Sequence, residues 1–125
     1  MKFSCALKRN HIFRRLYNTK GVANGCLVLY ARRNRLGRNE VGITVSKKLG
    51  GAVVRNRTRR RLREVYRLNE ERFTPGWDIV VVARSKAVEA DFGDLTRAYL
   101  ALAKKAGILN EMQNGPILLI LHCAL

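Results

Sequence analysis

AVVRNRTRRRLREVYRLNEERF, residues 52–73, contains neither proline nor glycine, and it is bracketed by Gly50-Gly51 before it and Thr74-Pro75-Gly76 after it. An uninterrupted run with stops of that kind predicts one long helix. At about 100° per residue, Val54, Thr58, Leu62, Val65, Tyr66 and Asn69 fall on one side. Arg55, Asn56, Arg57, Arg59, Arg60, Arg63 and Arg67 are expected over the opposite half, with Arg61 near the border. The helix therefore has a dry face for a core and a face covered with guanidinium groups.

The flanking segments supply the sheet. Val41 to Ser46 (VGITVS) alternates with β-branched residues and reads as a strand, and Trp77 to Arg84 (WDIVVVAR) is the strongest strand signal in the chain. Its nearly continuous apolar run implies burial on both faces, hence a central strand. Joined by the long helix, these two strands form a β-α-β crossover, for which general topology favours the right-handed form. Upstream, Gly25 to Ala31 (GCLVLYA) reads as another strand, expected to lie antiparallel to residues 41–46 across the basic loop Arg32 to Asn39. Asn10 is a reasonable cap for a short first helix over residues 11–17. A final helix over residues 91–106 places Leu95, Tyr99, Leu102 and Ala103 on one face, and Gly107 stops it.

The order helix, strand, strand, helix, strand, helix, with no repeat or linker, predicts a single α/β domain, an α+β sandwich over residues 1–111. Residues 112–125 form an apolar tail. From Pro116 onward it has only about ten residues, too few for a bilayer core that needs roughly twenty, so it is expected to pack or fray.

Composition narrows the partner. The chain has 125 residues, 47% of them hydrophobic, which suffices for a modest core, and its formal charge is +16. Such self-repulsion is tolerable in a compact fold when a polyanion neutralises it. The charge is also uneven, because Glu40 is the only acid from Met1 to Arg63. A basic helix can also lie on anionic lipid, but the interleaved strands argue against a membrane partner.

Cys5, Cys26 and Cys123 are odd in number and lack C-x-x-C spacing, which suits a reducing cytoplasm. The opening Met1 to Leu7 runs directly into Lys8-Arg9-Asn10 without the apolar core of a signal peptide, so export is not expected. His122 beside Cys123 lacks a second donor pair, and no metal site is expected there.

Most charged helix faces are merely solvated, and they usually mix signs. Arg55 to Arg63 contains no acid, and like charges at i,i+4 spacing destabilise a helix. Arginine outnumbers lysine there, which favours bidentate phosphate contacts and stacking on bases. Lys47 and Lys48 continue that charge in a loop whose glycines allow close approach to a phosphate backbone. In the first helix Phe13 and Tyr17 stand at i,i+4, flanked by Arg14 and Arg15, and Tyr30 ends the first strand. These aromatics fit either a core or a platform on which unpaired bases stack. No catalytic constellation is visible among the nine acids and two histidines. Asp91 and Asp94 suit a helix cap and dipole.

From Lys47 to Arg63 (KKLGGAVVRNRTRRRLR) the chain closely resembles the protein subunit of bacterial ribonuclease P. The Arg-Asn-Arg core after a Ser-Lys-Lys-x-Gly strand end carries the resemblance, which extends from about Leu7 to Ile108. It implies a ribosomal-protein-like α+β fold with a left-handed β-α-β crossover, against the general rule. It also implies a holoenzyme in which the chemistry belongs to the RNA, with Mg2+ held mainly by that RNA. Lys47, Lys48, Arg55, Asn56, Arg57, Arg59, Arg60, Arg63 and Arg67 would bind the catalytic RNA. Phe13, Arg14, Tyr17 and Tyr30 would take the 5′ leader of precursor tRNA. Two departures stand out: Gly51, where some relatives carry a larger polar residue, and the apolar end from Pro116.

Two other readings fit parts of the sequence. A ribosomal or other structural RNA-binding protein shares the charge, size and a related fold but lacks the Arg-Asn-Arg helix. A helix-turn-helix DNA regulator fails because a buried strand follows the arginine helix and no short helix precedes it at a tight turn.

Overall fold

The computed structural model describes residues 4–6 and 21–110. The expected first helix, with Phe13, Arg14 and Tyr17, and the tail from residue 112 lie outside the described residues.

Among the described residues, five strands form one sheet: β1 (Ser4–Ala6), β2 (Val22–Ala23), β3 (Leu27–Arg33), β4 (Asn39–Thr44) and β5 (Trp77–Ala83). Their spatial order is β1-β4-β5-β3-β2. Strand β5 is central, as its apolar run implied, pairing in parallel with β4 and antiparallel with β3. The arginine helix, α1 (Ala52–Asn69), crosses over from β4 to β5. A short α2 (Ser85–Glu89) and then α3 (Phe92–Lys105) follow β5.

The expected pairing of the strands at residues 25–31 and 41–46 is corrected. The two run in opposite directions but never bond, because β5 lies between them. Hairpin strands sit about 4.8 Å apart, so bridging an intervening strand takes roughly twice that span, and the loop between Arg33 and Asn39 is long enough for it. Strands β1 and β2 and helix α2 were not legible, being too short to show a period. The long helix also stops early, at Asn69, and a 3-10 turn over Glu70–Arg72 completes the expected run to Phe73.

Alternation along the strands divides the sheet into two faces. Leu27 and Leu29 of β3, Val41 of β4, and Ile79, Val81 and Ala83 of β5 pack against the helical layer. That layer contributes Leu62, Val65 and Tyr66 from α1 and Leu95, Tyr99, Leu102 and Ala103 from α3. Phe73 joins the two helices, its ring 4.8 Å from that of Tyr66 and edge-on to Tyr99 at 6.0 Å. Helix α3 starts where expected, with the Asp91 side chain accepting from Asp94 N at 2.7 Å. Burial pushes the Tyr99 hydroxyl far above the ordinary phenol range, with Tyr66 nearby adding to the shift.

The opposite face reads in rows set by the register. Val28, Val82 and Thr44 share one row, Tyr30, Val80 and Gly42 the next, and Arg32, Asp78 and Glu40 the last. Val80 is fully buried there, outside the main core cluster.

One polar residue ties helix to sheet. Asn39, at the start of β4, is 0% exposed; its Nδ2 donates to the Tyr66 hydroxyl at 3.0 Å and its Oδ1 accepts from Trp77 N at 2.9 Å. Asn39→Ala removes both bonds and buries the Trp77 N–H without its acceptor, a cost of about 2–4 kcal/mol. Urea unfolding should show a lower midpoint with an unchanged m-value.

Candidate nucleic-acid interface

The approach to α1 is built by its preceding turn. Lys47–Leu49 is a 3-10 turn capped by Ser46, whose Oγ accepts from Lys48 N at 3.2 Å, and both lysines are exposed. Gly50 then turns the chain at φ 150°, and a Cβ there would meet Val54 Cγ1 at 2.9 Å, so only glycine fits. Gly51 caps α1 without a side chain and has open space around it. A polar side chain there could serve as an N-cap, which glycine does not supply. The first turn of α1 carries no acid, leaving the positive end of the helix dipole uncompensated beside Lys47 and Lys48.

Along α1 the dry side is as expected: Thr58, Leu62, Val65 and Tyr66 are buried, and Thr58 satisfies its hydroxyl on Val54 O at 3.0 Å. Outward from it, Asn56, Arg57, Arg60, Arg63 and Arg67 are exposed. Asn56, Arg59, Arg60 and Arg63 are brought together around an open depression, with Val53, 82% exposed, among them. Arg59 Nη1 donates to Asn56 Oδ1 at 3.0 Å, which ties the two side chains together at the depression. Val53 was missed in the sequence, although the same angular arithmetic puts it in the middle of the outer arc.

Three arginines stand apart from the free charge, and one of them, Arg55, is not where the sequence reading put it. Arg55 precedes Leu62 by seven residues, a net rotation of only about 20°, so it belongs to the core side; it is half-buried, with Nε buried and unbonded. Arg61 donates to the Ala90 carbonyl at the end of α2 and acts as a strut between the two helices. Arg67 is paired with Glu64, which draws that carboxyl below its ordinary range chiefly by hydrogen bonding. The uncompensated charge is thus concentrated in Arg57, Arg60 and Arg63.

Tyr30 lies on the other face of the sheet, half-buried. The backbone of Gly21 presses on its ring: a Cβ there would stand 2.7 Å from Tyr30 Cε1. Lys47 to Arg63 and Tyr30 therefore belong to different surfaces.

A family model described as Ribonuclease P matches residues 1–107. This chain belongs to the ribonuclease P protein family. It is 42% identical over 112 residues to the ribonuclease P protein component of Alkaliphilus oremlandii, covering 89% of this chain and 98% of that one. A Thermoanaerobacter ribonuclease P protein component is 47% identical over 100 residues, 79% of this chain and 86% of that one. Among solved structures, the Staphylococcus aureus RNase P protein matches with a TM-score of 0.77 at 33% identity, covering 84% of this chain and 97% of the other. The Thermotoga maritima RNase P protein gives 0.74 at 31%, covering 80% and 96%. The ribonuclease P family thus supplies both the fold and the role of holoenzyme subunit, and the ribosomal-protein alternative is not favoured.

The strut and the free arginines should separate in thermal melts of the isolated protein. Arg61→Ala loses its bond to Ala90 O and should cost about 1 kcal/mol. Arg60→Ala should leave the melting temperature unchanged or raise it slightly, since it relieves like-charge crowding.

Proposed function

We propose that this subunit holds the catalytic RNA of ribonuclease P on the outer arc of α1 and receives the single-stranded 5′ leader of precursor tRNA on the opposite face of the sheet. The observation that carries the first half is the convergence of Asn56, Arg59, Arg60 and Arg63 on one open depression, with Lys47 and Lys48 at the head of the helix. Phosphates of a folded RNA satisfy these donors, and the Val53 surface between them suits the edge of a base or sugar. Arg57, on the other shoulder of the arc, widens the track.

The leader half rests on Tyr30 and on the family match of Phe13, Arg14 and Tyr17. Tyr30 offers a half-buried ring held against Gly21, and stacking on such a ring is indifferent to base identity. A substrate set with many different leaders requires that tolerance. Mg2+ belongs in this reading mainly to the RNA. The two acids that share a row of the sheet, Glu40 and Asp78, are engaged by Arg38 at 3.6 Å and by Asn34 Nδ2 at 3.0 Å. The free thiol of Cys26 suits a cytoplasmic setting.

Two measurements test the halves separately. Arg57→Ala and Arg60→Ala should each weaken binding to the catalytic RNA and reduce the log-log salt slope by about 0.9 per lost duplex phosphate. Unchanged affinity and slope in both would move the RNA site off α1.

Tyr30→Ala should remove about 1–3 kcal/mol from precursor tRNA binding by the reconstituted holoenzyme and leave mature tRNA untouched. An unchanged precursor-to-mature ratio, with a lowered melting temperature, would return Tyr30 to a packing role.

A further inference from the structure

The basic loop between β3 and β4 has no part in the surfaces described so far. Together with the strand ends beside it, it carries Arg32 and Arg33 of β3, then Arg35 and Arg38, all exposed, against the single acid Glu40 of β4. Its shape is fixed from within. Asn34 N donates to Gly76 O at 2.9 Å, Asn34 Nδ2 donates to Arg38 O and to Asp78 Oδ1, each at 3.0 Å, and Asn34 Oδ1 accepts from Leu36 N at 2.8 Å. Arg35 is the only non-glycine with positive φ among the described residues, at 62°. That conformation costs a side chain energy and persists where the surroundings impose it. The loop is therefore preorganised, and a ligand need not order it.

The four arginines are not equivalent. Arg33 is turned toward Trp77, its guanidinium 5.3 Å from the ring centroid, on the helical side of the sheet. Arg32 shares its row, and hence its face, with Asp78 and Glu40, one row beyond Tyr30. Arg38 reaches the same face through its ion pair with Glu40, at 3.6 Å, in which the carboxyl is 13% and the guanidinium 54% exposed. Glu40 thus lies underneath, and the cation it holds, Arg38, faces outward.

We propose that Arg32, Arg35 and Arg38 extend the leader track past Tyr30, gripping the phosphodiester backbone of leader nucleotides remote from the cleavage site. The inference rests on the leader reading of the Tyr30 face. Its polarity follows from the fold. Lys47 and Lys48, assigned to the catalytic RNA, follow the end of β4, whereas this loop precedes its start, a separation along the strand of roughly 17 Å. A leader leaving the catalytic RNA near the lysines reaches Tyr30 first and the loop last. Phosphates, common to every leader, are what three exposed guanidiniums recognise without regard to sequence.

The test uses the reconstituted holoenzyme and three substrates: mature tRNA, a precursor with a leader of about two nucleotides, and one of about ten, a length within the span single-strand sites usually cover. The variant is Arg32→Gln, Arg35→Asn and Arg38→Gln combined, asparagine being chosen because it accepts positive φ. The long-to-short affinity ratio should fall about tenfold, and the salt slope for the long leader should lose about 0.7 for each phosphate released. Lysine at all three positions should restore most of the ratio.

An unchanged ratio overturns the proposal. So does a loss shared equally by mature tRNA, or a weakened assembly with the catalytic RNA, either of which would give the loop to that RNA. If the wild-type holoenzyme gains nothing from any leader, the reading of the Tyr30 face itself falls first.

Discussion

The amide of Asn39 sets the geometry on which both surfaces depend. It is wholly buried, it takes the Trp77 N–H at the head of β5, and it gives its own proton to the Tyr66 hydroxyl. An apolar contact would let α1 roll by a fraction of a turn over the sheet. A directional pair of bonds does not, because a buried donor or acceptor that loses its partner costs more than the bond was worth. The rotational setting of α1 decides which side chains leave the core. With Tyr66 pinned, Arg57, Arg60 and Arg63 can only point outward.

The same register separates the two functions in space. Odd-numbered residues of β3, β4 and β5 feed the helical layer, and even-numbered ones build the face carrying Tyr30 and Arg32. Because strand side chains alternate strictly, a shift of one residue would exchange the faces. The fully buried Val80 between Tyr30 and Gly42 makes such a slip costly on both sides at once.

Much of this was legible because it is periodic. The arginine helix follows from a repeat long enough to read, the central position of residues 77–83 from an unbroken apolar run, and the start of α3 from the Asp91 cap. The failures share a different cause. The strands at 27–33 and 39–44 looked like neighbours because sequence records adjacency along the chain, and nothing local announces that a later strand will insert between them. Arg55 was placed outward because a run of arginines reads as a single face, while the angle of that one residue places it with Leu62. Asn39 looked like the last residue of a basic loop, and the partners that make it structural, Tyr66 and Trp77, are 27 and 38 positions away. Arg61 was left at the border for the same reason, its acceptor at Ala90 being 29 residues off.

The sheet ends in a pair of very short strands, three residues in β1 and two in β2. An edge strand offers unpaired backbone groups to any passing chain, and its capacity to recruit one grows with its length. Among the described residues, edge strands this brief offer little template of their own. For a subunit that must wait for its RNA, carrying a formal charge of +16 and with no polyanion yet on its surface, the abbreviated edges and the mutual repulsion of copies act together. The unassembled protein can thus accumulate without polymerising through its own sheet, and its encounter with RNA need not compete with its encounter with itself.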